Sequence, residues 1–192
     1  TYDQSTMTAV EEMDEYATTH NLSWPDNYVF SAWGDNRMYN AFISGESRSY
    51  GYAQANFDAF LTSTDNARWY QQLQGRAGFV LVTERENFQS APDEVIYAQL
   101  QRNWGIGTHY RVLSAADDGT RAFAIVPGTV VNGSADTGSV TVAGTMEFNN
   151  RTQDISTTVP VENGTYSVRV STPGTYTIAN QTVTVTEADV SA

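Results

Sequence analysis

The chain has 192 residues, 22 acidic and 10 basic, a formal net charge of −12 and no cysteine. This excludes disulfides, thiolate metal sites and cysteine nucleophiles, and its surface repels nucleic-acid phosphates. Hydrophobic content of 40% is enough to bury a core, so the chain is not a disordered acidic tail. All ten basic residues are arginine. Two explanations compete for the acidity: a surface for basic partners, or adaptation to high salt, where dense carboxylates keep a protein hydrated. The acids are spread from Asp3 to Asp189, which favours the second, and lysine avoidance has the same sense. No apolar run approaches membrane-spanning length. The chain starts at Thr1 rather than methionine, as expected of a piece of something longer.

In chain order, Asp3 to Thr19 reads as a helix with Met7, Val10, Met13 and Ala17 on one stripe. Asn21 and Pro25 end it, and Tyr28 to Ala32 is a short strand. The following "WGDNRMYN" reads either as a strand end that packs Trp33 on the domain, with Asp35 and Asn36 turning the chain, or as a ligand-reading loop. A helix is expected from about Gln54 and another over Asp65 to Gln74. Gly78 to Val82 is a continuous apolar strand covered on both faces. A helix capped at Ser90 carries Ile96, Leu100 and Trp104. "HYRVLSA", "DDG" and "RAFAIV" form a hairpin. This order predicts an α/β module over 1–126.

After Pro127-Gly128, helix formers vanish. "SVTVAGTMEF", "DISTTVPV", "GTYSVRVS", "GTYTIA" and "QTVTVTE" alternate apolar and polar residues between turns. Residues 127–192 are therefore expected to form a small all-β sandwich or barrel of five or six strands. The whole is a mixed α+β chain, an α/β module followed by a β-sandwich module.

Chemistry is sparse. His20 and His109 lack partners at metal-ligand spacing, and His20 sits at a helix end. "SGESRSYG" misses the second glycine of a hydrolase elbow, because position 49 is Ser49. Asp117-Asp118-Gly119 lacks the further ligands of a calcium loop and reads as a hairpin turn. No catalytic or metal-binding residue is assigned. Five N-x-S/T sequons, at Asn21, Asn132, Asn150, Asn163 and Asn180, are candidate glycosylation sites if the chain lies outside the cytoplasm. Tyr50 and Tyr52, near a glycine-rich loop, offer stacking faces for sugars, which leaves open a non-enzymatic cell-surface or carbohydrate-binding module.

The order "TYDQSTMTAVEEM", "YVFSAWGDNRMYN", "DNARWYQQLQGRAGFVLVTE" and then "FAIVPGTVVNG" (Phe123 to Gly133) resembles the soluble C-terminal region of archaeal oligosaccharyltransferases of the AglB type, haloarchaeal members above all. In that family the motif WWDYG forms part of the pocket for the Ser or Thr of an acceptor sequon. Aligned on the strand end, this chain has Ala32-Trp33-Gly34-Asp35-Asn36, in which only Trp33 matches. The resemblance implies transfer of a lipid-linked oligosaccharide to Asn of N-x-S/T by a full-length membrane protein. This region would contribute acceptor recognition and not catalysis. Trp33, Asp35, Asn36 and Arg37 are the implied acceptor-binding residues. The resemblance also implies a divalent metal (Mn or Mg) bound in the transmembrane part, an acceptor polypeptide and lipid-linked oligosaccharide as partners, and a place on the extracytoplasmic face of the membrane.

Overall fold

The structure, a computed structural model, describes residues 2–149 and 151–192. The chain is mixed α+β with a sheet-rich C-terminal part. The first half runs α1 (Gln4–Thr19), β1 (Val29–Phe30), α2 (Trp33–Ile43), α3 (Tyr50–Thr62), α4 (Asn66–Leu73), β2 (Phe79–Val82), α5 (Ile96–Gln101), β3 (Tyr110–Ala115) and β4 (Arg121–Ile125). Its sheet has the order β1-β2-β4-β3. β1 and β2 are parallel, and the β2–β4 and β4–β3 pairs are antiparallel.

Strand alternation splits the core into two. Val29, Phe79, Leu81, Ala122 and Ala124 face Ala9, Val10 and Met13 of α1 and Tyr39 and Ile43 of α2. Phe30, Val80, Val82 and Phe123 face the other way, against Phe57 and Phe60 of α3, Trp69 of α4 and Leu100 of α5. A sheet covered on both faces needs apolar residues at every position, and β2 is buried at all four. Asp3 caps α1 and Asp65 caps α4, each accepting a backbone N–H three residues on.

The second half holds β5 (Thr129–Ser134), β6 (Ser139–Phe148), β7 (Arg151–Pro160), β8 (Thr165–Val170), β9 (Gly174–Ile178), β10 (Gln181–Val185) and α6 (Glu187–Ser191). These strands form a four-stranded sheet, β10-β9-β6-β7, and a two-stranded one, β5-β8. Val142, Met146, Tyr176 and Ile178 of the first sheet and Tyr166, Val168 and Val170 of the second join the same buried cluster as Phe30 and Phe123. The two halves therefore share one core. Backbone and side-chain bonds also cross between them. Gly107 N–H donates to the Arg169 carbonyl at 2.9 Å. Ser171 Oγ donates to the Thr108 carbonyl and Val112 N–H donates to Thr172 Oγ1 at 3.0 Å. Glu187 on α6 reaches back to pair with Arg111 on β3.

Several expected elements need correction. "WGDNRMYN" is neither a turn nor a loop: it is the first two turns of α2, and the strand before it is only Val29–Phe30. Trp33, which one of the two readings packed on the domain, is 57% exposed. α3 starts at Tyr50, earlier than Gln54, because the tyrosines and Gly51 enter its first turn. The helix expected from Ser90 starts at Ile96 and ends at Gln101, so Trp104 lies beyond it with a left-handed φ of 54°. The six strands β5 to β10 fall within the five or six expected, and α6 is a helix the sequence reading lacked.

Candidate functional site

The parallel pair β1–β2 defines an edge. Val29 and Phe30 sit opposite Phe79 and Val80, so the carboxyl ends of both strands open side by side. Past β1 the chain turns onto one face as α2, and past β2 it turns onto the other, reaching α5. Chains diverging in this way leave a crevice outside the carboxyl ends, the usual place for ligands in open α/β sheets. Trp33, Gly34 and Asp35 stand there as the first turn of α2. Asp35 provides a negative charge in the first turn, where the helix dipole favours one. Trp33, Asp35 and Arg37 are exposed. A β-carbon at Gly34 would meet nothing within 4 Å, so the helix entrance is open. Trp33 is 57% exposed, more than any other large hydrophobic side chain among the described residues.

Asn36 differs from its neighbours. It is 1% exposed and bonded on every side. Its Nδ2 donates to the Val29 carbonyl at 2.8 Å and to Ser31 Oγ at 3.2 Å. Its Oδ1 lies 3.2 Å from Tyr28 Oη and 3.3 Å from Asn40 Nδ2. It therefore holds the first turn of α2 on β1, and of the four residues singled out in the sequence only Trp33, Asp35 and Arg37 are exposed. Asn40, one turn further, was not singled out from the sequence. Its Oδ1 accepts from Val29 N–H at 2.8 Å and its Nδ2 donates to the Val29 carbonyl at 2.9 Å. The only sequence signal was the i, i+4 spacing of two asparagines, which is visible only once the segment is known to be helical.

The Arg37 guanidinium lies 5.2 Å from the centre of the Tyr50 ring, and that of Arg76 lies 4.4 Å from the centre of the Tyr52 ring. Each tyrosine expected to stack on sugars thus has one face covered by a cation. On the carboxyl edge, Glu84, Tyr97, Gln101, Trp104, Arg121 and Arg151 line a cleft of about 460 Å³. There the Arg121 guanidinium lies 3.7 Å from the Trp104 ring centre, and burial lowers its pKa to about 10, so it stays charged at neutral pH.

The remaining candidates sit in structural roles. Asp118 Oδ1 accepts from Thr120 N–H at 2.9 Å and Oδ2 from Ser5 Oγ at 2.6 Å, which makes the β3–β4 turn and ties it to α1. These bonds, led by that of Ser5, hold its carboxyl below the usual range. His20 caps α1 and stacks on Tyr16 with ring centres 3.8 Å apart. His109 stacks on Tyr70 at 3.7 Å, and its Nδ1 lies 2.9 Å from the Pro127 carbonyl. Asn21, Asn132, Asn163 and Asn180 are exposed, and Asn21, Asn163 and Asn180 occupy left-handed turn positions with φ of 54°, 52° and 65°. Asn150 lies outside the described residues. Among the described residues no three His, Asp or Glu side chains converge as metal donors, so these residues do not fit a divalent metal. No helix among them is long and apolar enough to cross a membrane.

The sequence matches no protein-family model and no curated protein. Solved structures do match. The fold is similar to that of an archaeal oligosaccharyltransferase. The Archaeoglobus fulgidus enzyme AglB, in complex with an inhibitory peptide and a dolichol-phosphate, aligns with a TM-score of 0.66 at 14% identity over 99% of this chain and 42% of that one. The A. fulgidus oligosaccharyltransferase in complex with Zn and sulfate aligns with a TM-score of 0.62 at 14% identity over 99% of this chain and 45% of that one. The same enzyme tethered to an acceptor peptide containing the NVT sequon gives 0.61 at 13% identity, over 97% and 42%. The chain thus spans less than half the length of the structures it matches.

Proposed function

We propose that this chain is the extracytoplasmic region of a membrane oligosaccharyltransferase-like protein, and that the first turn of α2 helps to bind the acceptor polypeptide. The observation that carries this reading is the exposed Trp33 at the carboxyl end of β1, in a fold similar to oligosaccharyltransferase structures over nearly the whole chain. The Trp33 indole N–H is a donor for the Ser or Thr hydroxyl of a sequon, and its ring is a wall for the peptide. Asp35 offers a carboxylate to peptide amides. Arg37, one turn on, offers guanidinium donors to peptide carbonyls. A site built to hydrogen-bond a hydroxyl rejects substrates lacking it. The reaction served is transfer of a lipid-linked oligosaccharide to Asn of N-x-S/T. Its bond-making groups and its divalent metal (Mn or Mg) belong to parts of the full-length protein outside this chain.

The test is glycan transfer in membranes holding the full-length protein, with native lipid donor and an N-x-T peptide. Trp33→Ala is expected to raise the KM for peptide roughly tenfold or more, the size of one lost hydrogen-bonded contact of about 1.4 kcal/mol or above. Wild-type membranes without transfer, beside an active control enzyme, would overturn the reading.

A further inference from the structure

A second cleft lies away from the carboxyl edge, near the amino end of the sheet. It has a volume of about 490 Å³, and Trp24, Tyr28, Arg48, Ser49, Tyr52 and Arg76 are among its lining residues. Its charge is the reverse of the chain's. The chain has 22 acidic residues and 10 arginines. Arg85, Arg102 and Arg111 are each paired with a carboxylate. Neither Arg48 nor Arg76 has a carboxylate within 4.0 Å among the described residues. The nearby Glu46 carboxylate accepts the backbone N–H of Arg48 at 2.7 Å.

Arg48 and Arg76, both exposed, line this cleft beside a third source of positive potential. α3 opens at Tyr50, its cap residue Ser49 makes no side-chain cap bond, and its first turn holds no acid. Ser49 and Gly51 line the cleft, and a β-carbon at Gly51 would meet nothing within 4 Å, so a ligand can reach the backbone of this first turn. Free N–H groups at a helix start attract anions. The walls are set in advance. Arg76 lies over Tyr52, and Trp24, 44% exposed, stands edge-on to the buried Tyr28 at 5.7 Å.

We propose that this cleft binds a phosphate group. Two exposed arginines and a helix start line one cleft, and their several donors suit a tetrahedral group with several free oxygens better than a planar carboxylate. Trp24 and Tyr52 leave room for an apolar body attached to that phosphate. The phosphate comes either from a lipid headgroup or from a soluble phosphate compound. The proposal does not rest on acceptor binding at Trp33.

The test follows amide chemical shifts of the 192-residue chain during titration with inorganic phosphate at fixed salt. Saturable shifts at Tyr50, Gly51 and Arg76 are expected, with Kd at least tenfold weaker in Arg48→Gln/Arg76→Gln and unchanged in Arg68→Gln. Equal melting temperatures of the three proteins keep the comparison one of binding. Absence of saturable shifts, or shifts unaltered in the double variant, overturns the proposal. Co-sedimentation with phosphatidylglycerol vesicles, released by inorganic phosphate, assigns the source to lipid. Saturable shifts without co-sedimentation assign it to a soluble phosphate, and vesicle binding without phosphate shifts overturns the site.

Discussion

Asn40 acts as a missing strand neighbour. The Tyr28 carbonyl accepts the Phe79 N–H from β2 at 3.1 Å, and strand alternation turns the polar groups of Val29 to the open edge. The Asn40 carboxamide meets both, and so closes an edge that would otherwise be left unpaired inside the protein. Asn40→Leu, a near-isosteric change, removes the Val29 N–H partner and is expected to cost about 1–3 kcal/mol in urea unfolding. A change indistinguishable from zero would show that water reaches Val29. His109 gives a second residue-scale prediction. Burial depresses its pKa, the Arg169 charge adds to this, and the Val126 and Pro127 carbonyls partly oppose it. The unfolded chain therefore takes up the proton at a higher pH than the folded one. The stability involved is complete above the ordinary imidazole value of about 6.5 and is lost as pH falls towards the lowered folded value. His109→Phe keeps a ring against Tyr70 and should flatten the fall of melting temperature with pH below about 6.5; an unchanged slope contradicts this. At this scale the sequence was legible for Trp33 as a residue to watch and for Asp118 as a turn former. The inward role of Asn36 was hidden, because an asparagine reads as turn or ligand until its burial is known.

Elements with strong periodicity were the readable ones. The stripe of α1, the apolar run of β2, the β3–β4 hairpin and the alternating strands β6 to β10 stand close to where their patterns put them. α2 was misread because Gly34, Asp35 and Asn36 are turn residues by propensity, and tertiary contacts overrode them: Tyr39 and Ile43 bury against the sheet while Asn36 and Asn40 bond β1. α5 is shorter than expected: residues 90–95 are irregular and turn, and its cap is Val95 rather than Ser90. A glycine inside a strand pattern signals close backbone approach, and Gly144 in β6 is such a case. A β-carbon there would lie 2.3 Å from the Thr175 carbonyl oxygen of β9, whereas one at Gly138 would meet nothing within 4 Å. Gly144→Ala should destabilise the chain by roughly 1–3 kcal/mol and Gly138→Ala by much less. Equal melting temperatures for the two variants would contradict the close packing of β6 on β9.

At the scale of the whole molecule, charge and shared core decide behaviour. The composition change at Pro127 is plain in the sequence, but the continuity of the core from Phe30 through Phe123 to Val142 and Tyr176 was not, since alternation shows which side of a strand is buried and not against what. With 22 acids against 10 arginines, mutual repulsion should destabilise the fold at low ionic strength. Screening shortens from about 10 Å at 0.1 M to about 3 Å at 1 M salt. The melting temperature is expected to rise by roughly 5 °C or more across that range, about 2 kcal/mol for a chain of this size; a flat profile removes the high-salt explanation of the acidity. The central claim is that an acceptor polypeptide lies against the first turn of α2. The most direct measurement places a photo-crosslinking amino acid at position 33 of the full-length membrane protein and adds an N-x-T peptide. A crosslink formed there, competed by unlabelled N-x-T peptide and not by a peptide with Ala in place of Thr, is the predicted result. A crosslink indifferent to the sequon, or none at position 33 while a control position on α4 does crosslink, would contradict it.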